Sequence, residues 1–241
     1  MTKKALFYIG FFTILTAVFL FFIFKDYDFS KSKLGVISNV PDFSFVNQDG
    51  KDISQNDVED KVFVAEYFFT TCRGICPKMN ANMRRVYNEY KNEKNFLILS
   101  HTCMPETDSV HVLKEYEQKM LGGKLNRADD GSYNLKAPTD STKTFQNTNW
   151  QFLTGDKGEL YRMARQGYMI DNGNVDSLQK ISDQFIHTQF FALVDKYRRV
   201  RGIYDGLKEE EVQKMIVDIK GLLDEKVTTK RFMNGFSNNP Q

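Results

Sequence analysis

The amino-acid sequence predicts an α/β fold, with a mixed β-sheet flanked by helices, behind one N-terminal transmembrane helix. Apolar strand-like runs alternate three times with helical stretches, and a strand–strand–helix unit follows. This order predicts parallel strands with helices on both faces, extended by an antiparallel hairpin. A chain of 241 residues, 41% of them hydrophobic, is long enough for one well-buried domain with appendages.

The N-terminal segment is a candidate membrane span. Residues 5–24, ALFYIGFFTILTAVFLFFIF, carry no charge and would form a helix about 30 Å long. A cleaved signal peptide is the alternative, but its apolar stretch is usually shorter and ends in small residues. We therefore predict an uncleaved single-pass anchor over residues 1–25. Lys3 and Lys4 favour a cytoplasmic N-terminus, which puts the rest of the chain in the periplasm, or in the mitochondrial intermembrane space of a eukaryote.

Composition divides the remaining chain into a tether, a domain and a tail. Residues 26–40 are polar and are predicted to be a linker, and residues 41–226 carry the strand and helix patterns of the domain. Within it, residues 122–149 are polar with little periodicity, which predicts a surface insertion. Residues 227–241 are predicted to be a flexible tail.

Short apolar runs rich in Val and Phe predict the strands. They cover residues 61–71, 96–102, 150–155, 189–195 and 199–205. The first, KVFVAEYFFTT, is apolar nearly throughout, as expected for a strand covered on both faces. Before it, the alternating Phe43 and Phe45, the turn Gln48-Asp49-Gly50 and Ile53 predict a small β-hairpin.

Apolar residues at helical spacing predict the helices between these strands. One begins near Pro77, a residue suited to a first turn. A second covers about residues 108–121, Asp156 and Glu159 open a short third helix as a capping box, and a closing helix ends near residue 223. A thioredoxin-like fold has this arrangement, and its reactive cysteines follow a sheet strand at a helix N-terminus.

Two of the three cysteines occupy that position. The stretch FFTTCRGICPKMN, residues 68–80, contains Cys72 and Cys76. Three cysteines cannot form a disulfide scaffold, so reactive chemistry is favoured over a structural disulfide. The helix N-terminus and the charge of Arg73 both favour thiolate over thiol, and thiolates are good nucleophiles and soft-metal ligands.

Two thiolates are an incomplete site for most metals. Cu(I) accepts two or three ligands, whereas Zn(II) generally requires four. Three histidines are present, and His187 immediately precedes a predicted central strand, where thioredoxin-like folds bring a loop beside the cysteine motif. From the residues alone, a hydrogen-bonded loop histidine is the favoured interpretation of His187, and a metal ligand is the alternative. We interpret His101 as a strand residue and His111 as structural or exposed.

Four stretches in this order resemble the Sco/SenC family: FFTTCRGICPKMN, SHTCMPETDSVHVLKEY, NWQFLTGDKGELY and IHTQFFALVDKYRRVRGIYDG. The resemblance covers roughly residues 41–223. It implies a thioredoxin-fold copper protein that helps to assemble the CuA centre of cytochrome c oxidase. It also implies that Cys72, Cys76 and His187 bind copper and that the cysteine pair can cycle between dithiol and disulfide.

The sequence departs from the family pattern around these ligands. Arg73 and Gly74 stand where Pro and Asp are usual, and Met104 replaces the first Asp of a DPExDT-like segment. Cys103 is additional, and the insertion exceeds the usual short connection. We interpret Cys103 and Met104 as a buried thiol and a core methionine. The predicted copper ligands are unaffected by these changes.

Two functions follow. The favoured one is a copper metallochaperone whose partner is the CuA-bearing oxidase subunit or another copper or thiol protein, docking near Arg73 and the insertion. The alternative is an extracytoplasmic thiol–disulfide oxidoreductase that uses Cys72 and Cys76 as its redox pair. A peroxidase-like relative is less favoured because nothing singles out one peroxidatic cysteine. The net charge of +2 and the absence of a basic block argue against nucleic acid as a partner.

Overall fold

The computed structural model describes residues 3–24, 34–140, 143–171 and 188–225. These belong to two units: one includes the N-terminal helix α1 (Lys3–Phe24), and the other is the domain within Ser32–Leu223. In α1, the stretch Lys4–Phe22 is long and apolar enough to cross a membrane. The hydroxyl groups of its two threonines donate to carbonyl groups one turn earlier, which satisfies them without water.

The described part of the domain contains ten strands. They are β1 (Ser38–Asn39), β2 (Ser44–Asn47), β3 (Asp52–Ser54), β4 (Val62–Phe68), β5 (Phe96–Thr102), β6 (Lys124–Arg127), β7 (Tyr133–Lys136), β8 (Trp150–Thr154), β9 (Phe190–Val194) and β10 (Arg199–Asp205). Eight form one sheet in the order β1-β10-β9-β4-β5-β8-β2-β3, and β6 and β7 form a separate hairpin. In the central sheet β4, β5 and β8 are parallel, and the other neighbours are antiparallel.

Helices cover both faces of this sheet. They are α2 (Cys76–Tyr90), α3 (Val110–Gly122), α4 (Lys157–Arg162), which continues as a π-helix over Met163–Gly167, and α5 (Glu209–Asp224). Apolar residues of α2, α3 and α5 share one core with one set of strand side chains. Residues of α4 and the π-helix share the other core with the opposite set. The predicted mixed sheet with helices on both faces is confirmed.

Local sequence signals match the observed elements closely. The predicted N-terminal hairpin is β2–β3, in which Phe45 faces Ile53 and Gly50 adopts a φ of 73° in the turn. The Asp156 side chain accepts a hydrogen bond from the Glu159 amide at 2.9 Å and caps α4, while the Glu159 carboxylate, the other half of the predicted capping box, accepts from Arg162 instead. These features depend on residues only a few positions apart.

Two segments have more structure than the sequence indicates. Ser38 and Asn39, in the predicted linker, pair with β10, and Arg201 donates to the Leu34 carbonyl oxygen at 2.6 Å. The edge of β10 thus gains a partner from far along the chain. In the predicted insertion, β6 and β7 form a hairpin beside α2, where the Arg85 guanidinium lies 3.9 Å from the centre of the Tyr133 ring.

Candidate metal centre

The two cysteines flank a loop at one edge of the sheet. This cysteine loop, Phe69–Ile75, connects β4 to α2 where the parallel strands β4, β5 and β8 reach their carboxyl ends. Cys72 is half-buried in the loop, and Cys76 is the first residue of α2. The amides of Lys78 and Met79 donate to the Ile75 carbonyl oxygen at 3.1 Å, which starts the helix directly after the loop.

All three cysteines lie among the described residues and are free thiols. The Cys76 side chain is 5% exposed and shares a hydrogen bond with the Cys72 side chain. Burial, followed by this hydrogen bond, raises the pKa of Cys76 well above its usual value, while a hydrogen bond with the Phe69 backbone opposes the shift. The two sulfurs are therefore close together, with Cys76 protonated at neutral pH.

This finding corrects one expectation from the sequence. A helix N-terminus and Arg73 were expected to favour thiolate at both cysteines, but at Cys76 burial outweighs them. Arg73 is exposed, so water screens its charge. Removal of Cys76 from water instead favours the neutral thiol.

A buried carboxyl group lies behind the pair. Glu66, in β4, is 1% exposed, accepts a hydrogen bond from the Ser100 hydroxyl at 2.5 Å, and interacts electrostatically with Cys76. Its second oxygen, Oε2, has no hydrogen-bond partner among the described residues. Burial raises the pKa of Glu66 to about 8, against the opposing Ser100 hydrogen bond, so the group is mainly neutral at pH 7.

The predicted third ligand, His187, lies outside the described residues. Within the described ranges, no group of three or more His, Cys, Asp or Glu side chains is arranged to hold a metal ion. The structure thus brings together the sulfurs of Cys72 and Cys76, two soft donors that suit Cu(I). The other two histidines lie elsewhere: His101 is fully buried in β5, and the His111 side chain is 83% exposed on α3.

Comparisons with known proteins show which family the chain resembles. The family model SCO1/SenC matches residues 33–125. The SCO1 protein homolog of Bacillus subtilis (strain 168) is 28% identical over 183 residues, which is 75% of this chain and 81% of that protein. The chain is therefore similar to SCO1/SenC proteins, with the family model matching its N-terminal half.

Solved structures of Sco proteins share its fold. BsSco, described as a member of the Sco family of cytochrome c oxidase assembly proteins with a disulfide switch, is 26% identical. Its structure superimposes with a TM-score of 0.58 over 81% of this chain and 99% of BsSco. Copper-bound ScoI of Bradyrhizobium japonicum is 15% identical, with a TM-score of 0.53 over 78% of this chain and all of ScoI. The predicted thioredoxin-like fold is confirmed.

The departures from the SCO1/SenC pattern fall into exposed and buried positions. Arg73 and Gly74 are exposed in the cysteine loop. Replacing the family's usual Pro and Asp at these positions therefore does not disturb a packed core. Cys103 is 3% exposed, as predicted for a buried thiol, and Met104 is partly buried against the core of the opposite face. Burial also raises the pKa of Cys103.

The sequence interpretation missed two acidic residues at this edge of the sheet. Glu66 is a lone carboxyl group in an otherwise apolar strand, which is a visible signal of a special role. Asp108 was treated only as the start of a helix, yet it is 1% exposed and hydrogen-bonded to the residues around the cysteine loop. Its partners come from separate segments of the chain, so no local pattern indicates them.

Proposed function

We propose that this protein is a membrane-anchored copper-binding protein that delivers copper to, or matures, the CuA site of cytochrome c oxidase. The observation that carries the proposal is the Cys72–Cys76 pair, whose side chains share a hydrogen bond at a helix N-terminus with Cys72 accessible from outside. Copper in ScoI of B. japonicum and the oxidase-assembly role of the Sco family, as stated for BsSco, support it.

The proposed ligands are the sulfurs of Cys72 and Cys76 and the imidazole of His187. Two thiolates and one imidazole suit Cu(I) and tolerate Cu(II). Copper is the cargo, and each thiol must lose its proton to bind it. Because Cys76 holds its proton at neutral pH, loading releases protons, and copper affinity rises with pH.

Copper transfer follows from the different exposure of the two sulfurs. Cys72 is half-buried and Cys76 is buried, so an incoming ligand approaches the metal from the side of Cys72. The acceptor's thiolates and imidazoles then replace those of this protein one at a time. We place the docking surface of the CuA-bearing subunit around the exposed Arg73 and the nearby insertion.

The insertion belongs to this surface because its hairpin lies along α2. Hydrogen bonds from Ser132, supported by the charge of Lys78, lower the pKa of Asp130 at the hairpin turn. Lys78 lies in the first turn of α2, two residues after Cys76.

For the compartment, we propose a single-pass anchor in the cytoplasmic membrane with the domain in the periplasm, or in the intermembrane space if the source is mitochondrial.

Cu(I) stoichiometry of the full-length protein in detergent tests this function. The reduced protein, loaded anaerobically, is expected to retain one copper per chain. Cys72→Ser and His187→Ala are expected to lose it, whereas His111→Ala, which changes an exposed histidine on α3, retains it. Wild-type protein without retained copper would contradict the proposal.

The asymmetry of the cysteine pair also favours a second function, that of a thiol–disulfide oxidoreductase. The accessible Cys72 would attack a partner's disulfide and form a mixed disulfide, releasing one partner thiol. The buried Cys76 would then displace the second, leaving a Cys72–Cys76 disulfide and a partner that has gained two electrons and two protons. His187→Ala separates the functions, because it removes a copper ligand but neither sulfur.

A further inference from the structure

Asp108 lies in the loop between β5 and α3, and its carboxylate connects two strand ends. The Thr70 hydroxyl donates to Oδ1 at 2.6 Å, and the Thr70 amide donates to Oδ2 at 3.2 Å. The Thr102 hydroxyl also donates to Oδ2, at 2.5 Å. The amide of Asp108 itself donates to the Met104 carbonyl oxygen at 2.9 Å. The Asp108 carboxylate thus accepts three hydrogen bonds while only 1% exposed.

These contacts extend the strand pairing into the cysteine loop. The parallel register of β4 and β5 ends at the pair Phe68–Thr102. Beyond it, Asp108 accepts the hydrogen bonds of Thr70, two residues before Cys72. The Cys72 amide then donates to the Phe69 carbonyl oxygen at 3.2 Å, which turns the loop back toward α2. One end of the loop is therefore held by Asp108, and the other by the first turn of α2.

We propose that Asp108 is a positioning residue for the thiol centre: through Thr70, it holds Cys72 at the distance from Cys76 that copper binding and disulfide formation both require. This inference rests on the proposed function. Copper and a disulfide both need two sulfurs in a narrow range of separations. Without the hydrogen bonds between Thr70 and Asp108, Cys72 would sample more positions. Ordering the loop again for copper binding or disulfide formation would then cost conformational entropy.

Thr70→Val tests the proposal, with Thr102→Val as the matched control. Each change removes one hydroxyl donor to Asp108 and keeps the side-chain shape, and Thr102→Val also removes the acceptor of the Met104 amide. Thr70 lies in the cysteine loop, whereas Thr102 lies at the end of β5. One hydrogen bond to a charged group corresponds to about a tenfold change in an equilibrium constant. Thr70→Val is therefore expected to weaken Cu(I) binding about tenfold, and Thr102→Val less than threefold.

Two readouts on the full-length protein separate positioning from simple destabilisation. One is Cu(I) affinity by competition with a chelator, and the other is the Cys72–Cys76 dithiol–disulfide equilibrium in a glutathione buffer. Thr70→Val is expected to shift this equilibrium about tenfold toward the dithiol, or about 30 mV. Thr70→Ser, which keeps the hydroxyl group, is expected to restore both constants.

The proposal is overturned if Thr70→Val leaves both constants at their wild-type values, or if Thr102→Val shifts both as strongly. Asp108→Asn is expected to reproduce Thr70→Val, provided that its unfolding midpoint shows a folded protein. Failure of the proposed function can be told apart from failure of this inference. If the copper function is wrong, wild-type protein retains no copper, but the glutathione equilibrium still reports whether Asp108 positions Cys72.

Discussion

The two faces of the central sheet carry similar reactive side chains in opposite settings. One face, under α2, α3 and α5, bears Cys76 and Glu66 and opens at its edge to the half-buried Cys72. The other face, under α4 and the π-helix, bears His101 and Cys103. A cysteine and a titratable group lie on each face, yet one face alone has an accessible thiol among the described residues.

The His101 face is closed by aromatic packing. The His101 ring stacks on Tyr67 with the ring centres 5.1 Å apart, and Phe45 meets it edge-on at 5.3 Å. Its Nε2 atom lies 3.1 Å from the Tyr168 hydroxyl oxygen. Burial lowers the pKa of His101 to about 3, so the ring is neutral. A soft or basic donor enclosed in this way has no route to a partner protein.

The comparison shows that accessibility at a loop, more than residue type, marks the candidate site. Cys103 and Cys76 are almost equally buried, at 3% and 5% exposure. Cys76 differs because its side chain is hydrogen-bonded to Cys72, which is half-buried in the loop. Substitutions on either face test this contrast.

The largest effect is expected from removing the buried thiol of each face in turn. Cys76→Ala removes a proposed ligand, and loss of a group that merely supports a ligand already costs 10–100-fold in metal affinity. Cu(I) affinity is therefore expected to fall more than about 100-fold in Cys76→Ala and to change less than about threefold in Cys103→Ala. Competition with a Cu(I) chelator measures both. Equal losses would mean that Cys103 also contributes to the copper site.

Glu66 on the cysteine face is expected to make the protein less stable as pH rises. Its pKa is about 8 when folded, against a usual value of 4.5. Between these values the unfolded chain releases a proton that the folded protein keeps, so the free energy of unfolding decreases from pH 4.5 to 8 by several kcal/mol. Glu66→Gln is expected to remove this loss. Urea unfolding from pH 4 to 8.5 tests it, and parallel curves for the two proteins would contradict it.

His101 on the opposite face is expected to act in the other direction. Its folded pKa is about 3, below the usual 6.5, so the unfolded chain binds a proton that the folded protein does not. The contribution of His101 to the free energy of unfolding is fully present above pH 6.5. It is lost as pH falls toward 3, again by several kcal/mol. His101→Phe keeps the aromatic packing and is expected to flatten the acid side of the stability curve.

The His101→Phe experiment uses the same urea titrations, and Glu66→Gln is its control because that variant should retain the acid-side loss. Together the two groups predict nearly constant stability between pH 4.5 and 6.5, where their slopes cancel. An unchanged acid-side slope in His101→Phe would mean that His101 is protonated or solvated when folded.

Most of the fold could be predicted because its signals are local. The strand at residues 96–102 lies where its apolar run predicts, and the Asp156 cap needs a partner only three residues away. The hairpin β6–β7 was missed because its strands are polar and its packing depends on Arg85 and other residues of α2. The pairing of Ser38 with Val200 likewise joins residues that no short window contains.

The candidate site was predicted from the position of Cys72 and Cys76 after a strand and before a helix. The protonation of Cys76 was not predicted, since its raised pKa comes from burial by tertiary structure. The roles of Glu66 and Asp108 depend on hydroxyl groups of Ser100 and Thr70, which the fold alone brings near. The spacing therefore pointed to the cysteine pair as the candidate site, while its electrostatics and support required the folded chain.

The smallest expected effect tests whether the two faces act independently. The Tyr161 hydroxyl donates to the carbonyl oxygen of Cys103 at 2.8 Å, on the closed face. Tyr161→Phe keeps the ring and removes this hydrogen bond, which is expected to lower the free energy of unfolding by about 1 kcal/mol. Because Cys103 begins the loop that leads to Asp108, a connection between the faces would pass through this segment. Unchanged Cu(I) affinity and glutathione equilibrium are expected; a shift in either, in a variant that remains folded, would show that packing behind the sheet helps to set the thiol centre.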